Sequence, residues 1–196
     1  MFDIIFKPIK SINNEKKKRS TAKTYGKLVV AAIILGIAAF VVAMKITGNW
    51  GISLLTLLGF AALSFVGNLF NAWVYNIAIS TISGKGKCID SLASLANANI
   101  VMSVGLIIAV LLWLIPLFGM ILAMLVLIVM TVLSYAVLVR SLTVFTGADL
   151  LNVIVGIAVM AVASLVAAYL IIVLTTTYTS IINPTLLSGS TGLATA

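Results

Sequence analysis

The chain of 196 residues contains no histidine, one cysteine and only four acidic residues. Each scarcity removes a class of chemistry. A metal centre built on imidazole or thiolate has no donor set here, and Cys88 has no imidazole anywhere to activate it as a nucleophile. Charged residues make up 8% of the chain and apolar residues 63%, against about 25% and 45–50% in a soluble domain. That is too little polar surface to cover a soluble globule. Disorder is excluded for the opposite reason, since apolar area to bury is abundant. Alternating apolar and polar residues in segments of about ten, the mark of a membrane β-barrel, are also missing. The expected fold class is all-α: a polytopic membrane protein, a bundle of five transmembrane helices with a short interfacial N-terminal helix.

The apolar runs set the spans, since crossing a bilayer core of about 30 Å takes roughly 20 residues. The first covers 28–44. The second covers 51–72, with Trp73 to Ile82 as an extension at the interface. The stretch from Ile100 to Val139 is unbroken and about 60 Å long as one helix, twice the core. Pro116 and Gly119 lie near its midpoint, and proline removes a backbone donor and clashes with the preceding turn. The sequence therefore predicts a hairpin there, with spans at about 99–115 and 117–139. The fifth span covers 150–174. Three regions follow: a basic segment 1–27, a five-helix domain 28–174, and an uncharged Ser/Thr-rich tail 175–196.

Cations set the orientation. With five spans, residues 1–27, 83–99 and 140–149 share one side and carry eleven of the twelve Lys and Arg; Lys45 is alone on the other. The expected N-terminus is cytoplasmic and the C-terminus outside, most simply in the cell membrane. The first span reads as a retained anchor, because 27 residues precede it, too many for a usual signal-peptide n-region. Phe2, Ile5, Phe6, Ile9 and Ile12 recur at helical spacing, which predicts a short helix lying on the cytoplasmic leaflet, although Pro8 interrupts the pattern. Lys16, Lys17, Lys18 and Arg19 follow beside the first span. They form a topology signal and a contact for anionic lipid head groups or for a protein partner, each charge gaining about 1 kcal/mol near an anionic leaflet. No nucleic-acid partner and no cofactor are expected.

Asp, Glu, Lys and Arg are absent from within the five spans, which argues against ion-coupled transport, since such transport places ionisable groups inside the membrane. Arg140 and Asp149 bracket a short loop and read as end-capping charges. The most polar stretch lies in the second span, at Ser64, Asn68 and Asn71, with Asn76 beyond. Asn68 and Asn71 share a helix face; they read as interhelical polar contacts, with a ligand site as the sharper alternative. Small residues at Ala32 and Gly36, at Ala163 and Ala167, and at Gly59 and Gly67 permit close helix approach. Gly84-Lys-Gly-Lys87 lacks the spacing of a phosphate loop, so no enzymatic activity is expected.

Two segments carry a family resemblance. One is Gly84-Lys-Gly-Lys-Cys-Ile-Asp-Ser-Leu-Ala-Ser-Leu95. The other is Ile115-Pro-Leu-Phe-Gly119, followed by Val139-Arg-Ser-Leu-Thr-Val-Phe-Thr-Gly-Ala148. Together with the order of features over 25–174, they resemble the Yip1-domain family in its short prokaryote-type form. The resemblance implies a cytoplasmic N-terminus, five clustered spans and no catalytic residues. The long acidic or proline-rich N-terminal region of eukaryotic members is absent, so small-GTPase binding is not implied. The resulting expectation is a non-enzymatic scaffold or accessory subunit of a membrane assembly, in contact with membrane lipids and with other membrane proteins or itself. A passive channel or a lipid or small-solute transporter near Asn68 and Asn71 is the alternative.

Overall fold

A computed structural model describes residues 8–17, 20–116 and 118–182. Among them the structure is entirely helical: α1 Pro8–Lys17, α2 Thr21–Thr47, α3 Trp50–Ser83, α4 Cys88–Trp113, α5 Gly119–Thr146 and α6 Leu150–Ile182. Four helices, α2 to α5, are long and apolar enough to cross a membrane. The chain divides into two units, Met1–Gly156 and Ile157–Ala196. The second continues α6, whose fully described apolar stretch is Leu150–Ala163.

The turns between helices follow from local chemistry. Gly48, at φ 62°, ends α2 in the left-handed conformation that costs glycine nothing, and its N–H closes on the Met44 carbonyl. Asn49 then caps α3, its side-chain oxygen accepting from the N–H groups of Gly51 and Ile52. Two residues thus turn the chain back on itself. At the start of α4, the Asp90 carboxylate accepts the Lys87 N–H at 2.8 Å and places negative charge at the helix N-terminus.

The break near Pro116 lies where the sequence predicts it. α4 stops at Trp113 and α5 starts at Gly119. Glycine is required at 119 because a Cβ there would collide with the Leu112 carbonyl oxygen. The two helices run antiparallel: Ser134 donates to the Ala98 carbonyl, Thr131 faces Met102, and Met130 lies against Gly105. As one number rises the other falls. Gly36 brings α2 against α3, where a Cβ would lie 2.8 Å from the Leu57 carbonyl oxygen. α2 and α4 run parallel, joined by Lys27 to Asn97 at one end and by Lys45 to Trp113 at the other.

These pairings make α4 the centre of the first unit. Half of its span window is buried, against 6% for α3. One expectation changes. The stretch 83–99 was expected as a loop leading to a third span at about 99–115, but α4 begins at Cys88 and most of the stretch is helix. Its residues Asp90 to Ala98 are all buried. Seven of these nine are Asp, Ser, Ala or Asn, so hydropathy passes over them although the whole run is buried. Trp73 to Ile82 continues the helix of the second span: α3 is unbroken over 34 residues, about 51 Å, which exceeds the bilayer core and calls for tilt or projection beyond it. In α1, Ile12 is fully buried in a cluster with Ala93, Val137 and Phe145, whereas Ile9 is exposed. α1 therefore packs on the bundle through Ile12. Phe2, Ile5 and Phe6 lie outside the described residues.

Candidate functional site

Two polar constellations that join separate helices stand out among the described residues. The first sits at the end where α2 and α4 begin. Lys27 Nζ lies 2.6 Å from Glu15 Oε1 and donates to Asn97 Oδ1 at 2.6 Å. The Asn97 amide closes the triangle by donating to Glu15 Oε2 at 2.9 Å. Three helices are tied at one point: α1 by Glu15, α2 by Lys27, α4 by Asn97. Asn97 is fully buried, and the Lys27 and Glu15 side chains are 19% and 14% exposed. Such a pair is screened less than a surface one, and each amide bond to it is charge-assisted.

The second constellation is a pocket of about 300 Å³ between α3, α4 and α5. Asn68, Asn71 and Tyr75 line it from α3, Asn99 from α4, and Thr131, Ser134 and Tyr135 from α5. Asn99 Nδ2 donates to Asn68 Oδ1 at 2.7 Å, which fixes both amides. Asn68 lies about 22 Å along α3 from Ser83, and Tyr135 about 16 Å along α5 from Thr146, at about 1.5 Å per residue. The lining as a whole lies about 10 to 22 Å from that end of the three helices, nearer the Lys27 end than the other. On the Lys27 side it consists of the buried Tyr75, Leu95, Ala98 and Leu138. Toward the other end the space beside α4 is apolar, lined by Leu106, Val110 and Trp113. No charged side chain lines the pocket. Its amides and hydroxyls can hydrogen-bond a neutral group; they offer neither a nucleophile–base pair nor an acid–base pair.

The residues singled out from sequence fall into three sets. Asn68 and Asn71 both line the pocket, Asn68 with the cross-helix bond just given. Pro116 and Gly119 lie in the turn between α4 and α5. Lys16 and Lys17 are exposed at the end of α1, whereas Lys18 and Arg19 lie outside the described residues. Lys45 stacks on Trp113, 3.8 Å above the ring centroid, and donates to its carbonyl at 3.2 Å. Lys85 donates to the Gly147 carbonyl at 3.4 Å, so the α3–α4 and α5–α6 turns share an end. Arg140 and Asp149 are exposed and form no ion pair with each other.

Sequence reading missed Glu15, Lys27, Asn97 and Asn99 as site residues. Asn97 and Asn99 carried a signal, as amides within the small-residue run Leu95-Ala-Asn-Ala-Asn99, where neighbouring helices approach closely enough for amides to bond across. Glu15 to Lys27 had none, because their distance in sequence reveals no pairing. Among the described residues, no cluster of His, Cys, Asp or Glu is arranged to hold a metal. No family model, curated protein or solved structure matches this chain.

Proposed function

We propose that the protein is a non-enzymatic, five-span membrane protein that acts as a scaffold or accessory subunit of a membrane assembly, with α6 as the fifth span. One observation supports it most. α3 offers Gly59 and Gly67 for close approach, and nothing lies within 4 Å of where their Cβ atoms would be. Gly36, by contrast, is filled by Leu57 and Ala61 of this same chain. Small positions on a helix let another backbone come near, and on α3 these remain open beside exposed Leu55, Leu63 and Val66. The proposal places the α1 end in the cytoplasm, with Lys16 to Arg19 against anionic lipid or an acidic partner. It includes the Yip1-domain resemblance, carried by the sequence segments 84–95, 115–119 and 139–148.

The test is chemical crosslinking in intact membranes, followed by extraction in mild detergent and mass spectrometry. The proposal expects a discrete complex crosslinked through α3; a monomer under all conditions contradicts it. The polar pocket favours a second reading, a lipid or small-solute carrier. Its lining does not continue as a polar file past Asn68, Met102 and Thr131, which weighs against a channel.

A further inference from the structure

We infer that the pocket between α3, α4 and α5 is a binding site for a neutral lipid, entered sideways from the bilayer, that bears a hydroxyl beside an ester or amide group. The inference goes beyond the scaffold proposal and does not depend on it.

The hydrogen-bond pattern sets the ligand's chemistry. The Asn99–Asn68 bond uses one donor of Asn99 and one acceptor site of Asn68. Asn68 Nδ2 reaches only Ser64 Oγ, at 3.5 Å. Asn99 Oδ1 and the whole Asn71 amide are left without a protein partner. Ser134 gives its proton to the Ala98 carbonyl and keeps an acceptor, while Tyr135 brings a hydroxyl. Unpaired amides at membrane depth are costly, since hydrocarbon offers them nothing. An occupant must therefore both donate and accept. It must also be uncharged, because no lining side chain carries a charge and an ion there has no counter-charge.

The route of entry identifies a lipid. The pocket lies in the half of the bundle nearer the Lys27 end, where its lining residues Tyr75, Leu95, Ala98 and Leu138 are all buried, and it is bounded by apolar surface toward the other end. Tyr135, on its wall, is 56% exposed. The mouth therefore faces the bilayer and not the water at either end. A water-soluble solute would have to dissolve in hydrocarbon first; a neutral lipid already resides there. The volume, about 300 Å³, is at the lower end of ligand pockets. It suits a head group and the first methylenes, with the acyl chains outside.

The test is photolabelling of the full-length protein in phosphatidylcholine vesicles with an alkyne-bearing photoreactive diacylglycerol. Labelling is expected on the segments 68–75, 95–102 and 131–138, competed by unlabelled diacylglycerol and not by phosphatidylglycerol at equal concentration. Asn71→Leu removes the unpaired amide at similar volume, and Tyr135→Phe removes one half-exposed hydroxyl. Each is expected to lower labelling about fivefold, the equivalent of one hydrogen bond, without lowering thermal stability. Tyr135→Phe also serves alone should Asn71→Leu fail to fold. Labelling outside these segments, equal competition by phosphatidylglycerol, or labelling unchanged in the variants overturns the inference.

Discussion

Replacing Lys27 with methionine keeps the aliphatic stem and deletes the charge that ties α1 to the bundle. In the wild type, Lys27 sits 2.6 Å from both Glu15 and Asn97. After the change Glu15 keeps one bond, from Asn97 Nδ2, and Asn97 Oδ1 has none. An exposed pair is worth about 0.2–1 kcal/mol, and removing one partner of a fully buried pair costs about 3–5. With side chains 19% and 14% exposed, this pair falls between, at about 2 kcal/mol. The loss should fall on the docking of α1, through Glu15, and on the α2–α4 contact beside it, where Lys27 bonds Asn97. Hydrogen exchange in lipid nanodiscs measures that docking directly. Amides of residues 11–17 should exchange up to roughly thirtyfold faster, as about 2 kcal/mol requires, while those at the far end of α4, residues 105–113, stay unchanged. Glu15→Gln and the double variant complete a cycle, with an expected coupling of about 1–2 kcal/mol that high salt reduces by less than half. A coupling near zero, or full loss at high salt, would show that the pair is screened like a surface one and that Ile12 alone holds α1.

Further expectations concern packing and charge. Ile12→Ala should undock α1 by about 2–4 kcal/mol, through lost burial and the cavity left among Ala93, Val137 and Phe145, read by the same exchange experiment. Gly105→Ala should cost about 1–3 kcal/mol in thermal unfolding, because the new Cβ meets both Cβ and Cγ of Met130; measured against Met130→Gly alone, which lacks both atoms, adding Gly105→Ala should cost less than it does in the wild type, and an equal cost would place the clash elsewhere. Asn68→Ala should cost about 0.5–2 kcal/mol through the lost bond with Asn99. Changing Lys16, Lys17, Lys18 and Arg19 together to Gln should weaken retention of anionic lipid by at most about 4 kcal/mol, in a salt-dependent way. Lys27 cannot compensate, being engaged by Glu15 and Asn97; co-purified lipid that is unchanged at low salt would leave the cluster as a topology signal alone.

The helical class was legible because apolar runs of this length admit little else. The turn at Pro116 was legible because proline and glycine act locally. Helix ends were not: hydropathy stops α4 at the first run of small and polar residues, yet Asp90 to Ala98 are all buried. Serine, alanine and asparagine bury well against a neighbouring helix, and their low hydropathy conceals this. Asn68 and Asn71 stood out as polar residues in an apolar span, so two residues of the pocket's α3 wall could be found from sequence. Asn99, Ser134 and Tyr135 could not, since only the antiparallel register of α4 and α5 brings them alongside. The Glu15–Lys27–Asn97 triangle was hidden for the same reason: it joins three helices whose order along the chain says nothing of their contacts.

The most direct test of the central claim is cysteine accessibility across the membrane. Cys88 is exposed at the start of α4, so the native chain carries one reporter, and in a Cys88→Ser background single cysteines at Lys17, Lys87, Asn49 and Ser188 supply the rest. A five-span protein with its basic end in the cytoplasm predicts that an impermeant maleimide added to intact cells labels positions 49 and 188 and reaches 17, 87 and native Cys88 only after permeabilisation. Positions 17 and 188 labelled from the same side would contradict the five-span account.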